Sequence, residues 1–309
     1  MHILVVGGGM GGTILANNLA RRLSGELEQG SSKITMLSAT DKHMYQPGLL
    51  YVAVGKMSTT ELYRDQKSLL EPSIDFHVDP VEKFDMDNNS VTTKSGKKIS
   101  YDILCIATGS RGNAAGIPGL AENACQFYTE ADALAMYKKL QKFEGGKVVV
   151  ATGVPHKCPM SPLEITFFLV DYFKKRGIWD KVDLHYTYPI GRVHSLEPVA
   201  NWAAPEFDKL GITYETLFNM KEVVPGKVIS EEDSSAEFDL LVTVPPHKGE
   251  PVRDYDGKVF CFIEAGDGKA TYAMFDYNNP PNPQAPTSGL HWFKTAYNRM
   301  YWASARGII

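Results

Sequence analysis

A strand-like stretch over 2–6, apolar from Ile3 to Val6, stops at a block of glycines; hydrophobic residues return at helical spacing over 13–23, and a second short strand-like stretch covers 33–37. Strand, glycine turn, helix and strand in that order predict a βαβ unit at the N-terminus. Residues 43–55, HMYQPGLLYVAVG, are apolar and aromatic but broken by Pro47 and Gly48, which predicts a packed irregular segment. Over 73–109 short apolar runs alternate with turn signals at Asn88-Asn89 and Ser95-Gly96. Residues 101–107 read as a fully apolar, central strand. The stretch SRGNAAGIPGL at 110–120 is a glycine-proline crossover and a natural boundary.

A second series of the same kind follows. It has a helix over 130–142, a strand over 147–151, a loop holding Cys158, a helix over 161–176 and a strand over 181–187. A helix and short strand occupy 201–217, and the strand in FDLLVTVPPHKG (238–249) ends in a double proline. Beyond 250 the pattern reads as a hairpin over 258–279, a proline-rich stretch without helix or strand signature over 280–289, and an aromatic segment over 290–309. The expected fold is α/β: two Rossmann-like βαβ domains, 1–110 and 111–245, and a remainder, 246–309, ending in an amphipathic helical segment. No internal repeat stands out beyond the two βαβ-like units.

With 309 residues, 43% of them hydrophobic, the chain can bury a substantial core. A net charge of −4 gives no broad positive field, so nucleic acid is not an expected partner. The four cysteines, Cys105, Cys125, Cys158 and Cys261, lack the close pairing of a zinc site, and no metal is expected. The first residues read as a buried strand rather than a signal peptide. No run approaches the roughly 20 apolar residues of a membrane-spanning helix, so any work at a membrane is expected at its surface.

Gly7, Gly9 and Gly12 form GxGxxG between a strand and a helix, where glycines allow a dinucleotide pyrophosphate to approach the backbone and the helix N-terminus. The acid that usually binds the ribose is absent; Ser38 stands at the end of the second strand, with Asp41 three positions later. The second unit departs further. After KVVVATG comes VPHKCP, with no second glycine motif and a cysteine in its place. Ser161-Pro162-Leu163-Glu164 predicts a helix start, with Ser161 as N-cap and Glu164 closing a capping box. Cys158 then lies about a turn ahead of a helix N-terminus, between Lys157 and Pro159, where dipole and nearby positive charge from Lys157 and His156 favour a thiolate. The alternative is a buried structural cysteine. Glu164 is either a proton handler or only a cap. Cys261 in VFCFIEAG and Cys105 in ILCIATG read as core strand residues on pattern alone.

Taken together, VVGGGMGG, YVAVG, ILCIATG, KCPMSPLE, PPHKG and FCFIEAGDGKA resemble sulfide:quinone oxidoreductases, membrane-peripheral FAD proteins related to the pyridine nucleotide-disulfide reductases. The resemblance implies the two-domain fold of the FAD-dependent disulfide reductases. It implies a cysteine pair at Cys158 and Cys261 that takes sulfide, carries it as polysulfide and passes two electrons to FAD and then to a membrane quinone. It also implies FAD contacts at Gly7, Gly9, Gly12, Ser38, Thr108, Gly109 and Lys294, and an acid at Glu164; His194 is a further proton-transfer candidate or an ordinary surface residue. An additional cysteine of some family members corresponds here to Tyr128, with Cys125 three residues earlier. The C-terminal segment, with Trp292, Phe293, Tyr297, Tyr301 and Trp302 opposite Lys294 and Arg299, would lie in the headgroup plane, Phe293 and Tyr297 lining a quinone channel; packing on the protein's own core or on a partner is the other reading. A homo-oligomer is left open, as is the membrane side on which the protein would sit.

The family pattern is interrupted near 249–253, where the resemblance implies a further segment of roughly 70 residues, with a strand, a second FAD motif and a helix, that is absent from this sequence. A true deletion would remove part of the FAD site. Two other functions therefore stand beside the first: a flavoprotein sulfide dehydrogenase serving a cytochrome subunit, and a flavin-free structural protein. A nicotinamide-dependent quinone reductase would need a glycine loop near 152–157, which is absent.

Overall fold

The computed structural model describes residues 1–249, the backbone of the strands Cys261–Ala265 and Lys269–Ala273, and Arg306. The expected C-terminal helix, with Phe293, Lys294 and Tyr297, lies outside the described residues.

The first unit is built from β1 (His2–Val6), α1 (Met10–Arg22), β2 (Lys33–Ser38), β3 (Asp75–Val78) and β4 (Ile103–Ile106). These strands form one parallel sheet in the order β3-β2-β1-β4. β1 is apolar on both faces because both are covered. Ile3 and Val5 pack with Ala16 and Ala20 of α1, while Leu4 and Val6 pack with Val91 and Tyr101. Val91 belongs to a three-stranded antiparallel meander, Val81–Asp85, Ser90–Thr93 and Lys98–Ser100.

The second unit contains β5 (Ser110–Gly112), β6 (Ala124–Cys125), α2 (Glu130–Lys142), β7 (Gly146–Thr152), α3 (Ser161–Lys175), β8 (Val182–Tyr188), α4 (Glu197–Leu210), β9 (Thr213–Thr216), β10 (Leu240–Val244) and β11 (His247–Gly249). Its parallel sheet runs β6-β10-β7-β8-β9. Counted from β7, this repeats the order of the first sheet and adds the earlier strand β6 beyond β10. The short β5 and β11 pair antiparallel where the chain crosses between units.

One expectation needs correction. Residues 101–107 do not make a central strand: among the described residues β4 pairs only with β1 and forms the sheet's edge, leaving Ile103 44% and Ile106 41% exposed. An apolar run reports that side chains are apolar, not that a neighbouring strand is there. The segment 43–55 is partly regular, with a short helix at Gly48–Val52. Its Leu49, Leu50, Val52 and Val54 join Met136, Leu163 and Leu169 in one core, tying the first unit to the second.

Candidate functional site

The glycine loop lies at the C-terminal ends of β1 and β4, where parallel sheets of this kind bind ligands. Gly7 has φ +115°, and a Cβ there would lie 2.2 Å from the Ala107 carbonyl oxygen. A Cβ on Gly12 would lie 1.9 Å from the Gly7 oxygen. These two glycines are dictated by the protein's own packing. Gly9 and Gly11 are different, since nothing lies within 4 Å of the Cβ either would carry. That open space, facing the start of a 13-residue helix with no acid in its first turn, fits a pyrophosphate. Gly109, with φ +73°, likewise opens onto empty space after the exposed Thr108.

A buried polar chain braces this loop from behind. Thr13 Oγ1 donates to the Gly9 oxygen (2.9 Å) and accepts from Gln66 Nε2 (2.9 Å). Gln66 Oε1 accepts from His43 Nδ1 at 3.0 Å, and burial lowers the pKa of His43, keeping it neutral. His43 and Gln66 escape a sequence reading because no motif marks them and Gln66 is 53 positions from its partner Thr13. Ser38 is buried, accepts the Thr40 N–H at 3.3 Å and would meet a Cβ on Gly8 at 2.5 Å, so it also shapes the loop.

The second candidate element is the loop between β7 and α3. Gly153 opens it because a Cβ there would lie 2.5 Å from Pro246 Cδ. The Gly153 N–H donates to Val244 O (2.8 Å), and the His247 N–H to Pro155 O (2.6 Å). Cys158 is a free, half-buried thiol. The capping box expected at Ser161 and Glu164 does not form: Met160 takes the N-cap position without a side-chain cap bond. Ser161 instead turns its hydroxyl back to the Cys158 carbonyl oxygen, 2.9 Å away, and meets the Tyr128 hydroxyl at 2.6 Å. Glu164 is half-buried in the helix's first turn.

Three buried histidines surround the loop. His156 Nδ1 donates to Gly153 O (3.2 Å), which leaves Nε2 to accept from Tyr188 Oη (3.3 Å). His194 is fully buried rather than at the surface; its Nδ1 accepts the Leu196 N–H (3.0 Å), so its proton sits on Nε2. His247 Nδ1 donates to Pro245 O (2.9 Å), and its ring meets the Tyr128 ring edge-on at 4.3 Å. Burial drives the pKa of each of the three down to about 4. His156 is therefore neutral, correcting the expectation that it adds positive charge beside Cys158. Lys157 reaches away to Gln46 Oε1 (2.6 Å), and this bond joins the cysteine loop to the segment bracing the glycine loop.

Cys125 is buried in the second unit's core and Cys105 half-buried in β4; burial raises both thiols. The structure gives Cys261 a backbone position, opposite Ala273 in a hairpin. Among the described residues no group of three or more His, Cys, Asp or Glu is arranged to hold a metal, and no helix is long and apolar enough to cross a membrane.

Residues 1–150 match the pyridine nucleotide-disulphide oxidoreductase family. The chain is 36% identical over 250 residues to the sulfide-quinone reductase of Aquifex aeolicus, covering 73% of this chain and 56% of that protein. It is 27% identical over 278 residues to the mitochondrial sulfide:quinone oxidoreductase of Mus musculus, covering 84% of this chain and 60% of the relative. The X-ray structure of the Aquifex aeolicus sulfide:quinone oxidoreductase superposes with a TM-score of 0.72 at 28% identity, over 81% of this chain and 60% of the other. The chain thus spans less than two thirds of the length of either curated relative. It is strongly homologous to sulfide:quinone oxidoreductases and pyridine nucleotide-disulfide reductases across much of its length, with the FAD-binding type of parallel sheets.

Proposed function

From that homology we propose that the protein oxidises sulfide to polysulfide or sulfur and delivers the electrons, through FAD, to a membrane quinone. The observation that carries the proposal is the free Cys158, held on a tethered loop where a second dinucleotide site would need glycines.

Of the GxGxxG glycines, Gly7 and Gly12 would shape the turn while Gly9, with Gly11, would leave room for the pyrophosphate of FAD; Ser38, Thr108, Gly109 and Lys294 are its further proposed contacts, and bound there FAD would supply a two-electron acceptor. Cys158 and Cys261 form the sulfur pair. In the oxidised protein the two would be bridged as a disulfide, which hydrosulfide would attack: one S–S bond breaks, a new bond forms between the incoming sulfur and one cysteine, and the other cysteine leaves as a thiolate with the electron pair. Glu164, half-buried in the first turn after Cys158, takes the proton released from hydrosulfide. His194 remains neutral down to about pH 4, so its part is that of a neutral donor through Nε2. Phe293 and Tyr297 line the quinone path, and the segment around them docks on the membrane surface as a peripheral attachment.

The test is Cys158→Ser and Cys261→Ser in the full chain, followed by sulfide-dependent reduction of a short-chain quinone without any cytochrome present. Each variant should lose at least about 100-fold in rate, the loss typical when a covalent participant is removed. Undiminished activity in Cys158→Ser would refute the assignment. Sulfide oxidation that proceeds only with a cytochrome would favour the sulfide dehydrogenase.

A further inference from the structure

Two hydroxyls behind the cysteine loop form a relay whose direction its end point fixes. The Cys158 carbonyl oxygen can only accept, so the single hydroxyl proton of Ser161, 2.9 Å away, goes to it. The Tyr128 hydroxyl, 2.6 Å from Ser161 Oγ, must then be the donor of that contact. Burial, reinforced by the neighbouring Cys158, pushes the Tyr128 phenol well above its ordinary pKa, so it stays a donor. Two segments distant in sequence meet here: Tyr128 after β6, and the stretch from Cys158, in the loop after β7, to Ser161 at the head of α3. The Tyr128 ring is backed edge-on by His247, whose own N–H holds Pro155, so phenol and loop share an anchor.

The geometry points to Tyr128 and Ser161 as positioning residues for the Cys158 sulfur. This rests on the reading of Cys158 as the reacting sulfur. Cys158 is pinned through its carbonyl oxygen, which leaves its half-buried thiol at the head of α3 with its backbone fixed. Fixing the backbone narrows the set of side-chain rotamers open to the sulfur, and the orientation of a reacting group contributes to its rate. Because the relay is serial, its two links do not act independently. Ser161→Ala removes the bond to Cys158 and also leaves the buried Tyr128 hydroxyl without its acceptor. Tyr128→Phe removes only the outer link and lets the Ser161 hydroxyl rotate.

The test is site-resolved labelling of the full chain with iodoacetamide, followed by peptide mass, with Cys125 as the internal reference. Loss of one or two hydrogen bonds should slow labelling of Cys158 about tenfold in Ser161→Ala and about threefold in Tyr128→Phe. The double variant should be no slower than Ser161→Ala alone, the signature of one shared path. Ser161→Thr, which keeps the hydroxyl, should restore the rate, and Cys125 should remain slow throughout. Equal rates in all variants would overturn the relay, as would Ser161→Thr labelling as slowly as Ser161→Ala. Sulfide-driven quinone reduction by the unmodified protein separates the two claims: its absence beside a slowed Ser161→Ala would refute the sulfide reading and leave the relay standing.

Discussion

At the residue scale, the two loops use glycine for different reasons, and substitution separates them. Gly12→Ala drives a Cβ into the Gly7 carbonyl, 1.9 Å away, and should destabilise the fold by about 2 kcal/mol, a fall in Tm of roughly 4–8 °C. Gly11→Ala places its Cβ in open space. It should leave Tm nearly unchanged while lowering the FAD retained on purification. Thermal unfolding and flavin content of both variants check this; equal losses of stability would show the open space to be illusory. The histidines around Cys158 give a second prediction. The unfolded chain protonates His156, His194 and His247 near 6.5, the folded protein only near 4, so between these values protons favour unfolding. Their contribution is complete above 6.5 and lost as pH falls toward 4. At about pH 5 each histidine should cost on the order of 2 kcal/mol, about 6 kcal/mol together, and Tm should fall by roughly 12–24 °C relative to pH 7. A Tm unchanged between the two would show that these rings are solvated.

At the element scale, helix α2 is closed by Thr129, whose Oγ1 accepts the Asp132 N–H at 3.1 Å. Thr129→Ala should cost about 1 kcal/mol, readable as a fall in Tm of roughly 2–4 °C; no change would mean that solvent caps the helix equally well. The helix after Cys158 was legible in PMSPLE, but its start was not. A Ser-x-x-Glu pattern reports a capacity for capping, and here Ser161 is drawn instead to the Cys158 carbonyl and Tyr128. The first βαβ unit was legible throughout because an apolar run, a glycine turn and an amphipathic helix are all local signals. The bracing of both loops was not, since Thr13 with Gln66, Tyr128 with Ser161 and His156 with Tyr188 pair across 53, 33 and 32 positions. That β4 pairs only with β1 among the described residues was equally hidden, because pairing is a property of two strands and the pattern shows one.

At the scale of the whole molecule, two parallel sheets of matching strand order carry two different loops. One leaves open space beside Gly9 and Gly11, and the other holds a free cysteine on a tethered loop. The Lys157–Gln46 bond and the core shared through Leu49, Leu50 and Val52 hold the two units together near both loops. The chemistry proposed for this arrangement is sulfur exchange on one side and two-electron storage on the other. The most direct test is an anaerobic absorption spectrum of the purified protein, recorded before and after stoichiometric sulfide and again after a short-chain quinone. The expected result is flavin bands that bleach with sulfide and return with quinone. Flavin bands that sulfide leaves untouched, or a protein with no flavin bands, would refute the proposed sulfide oxidation.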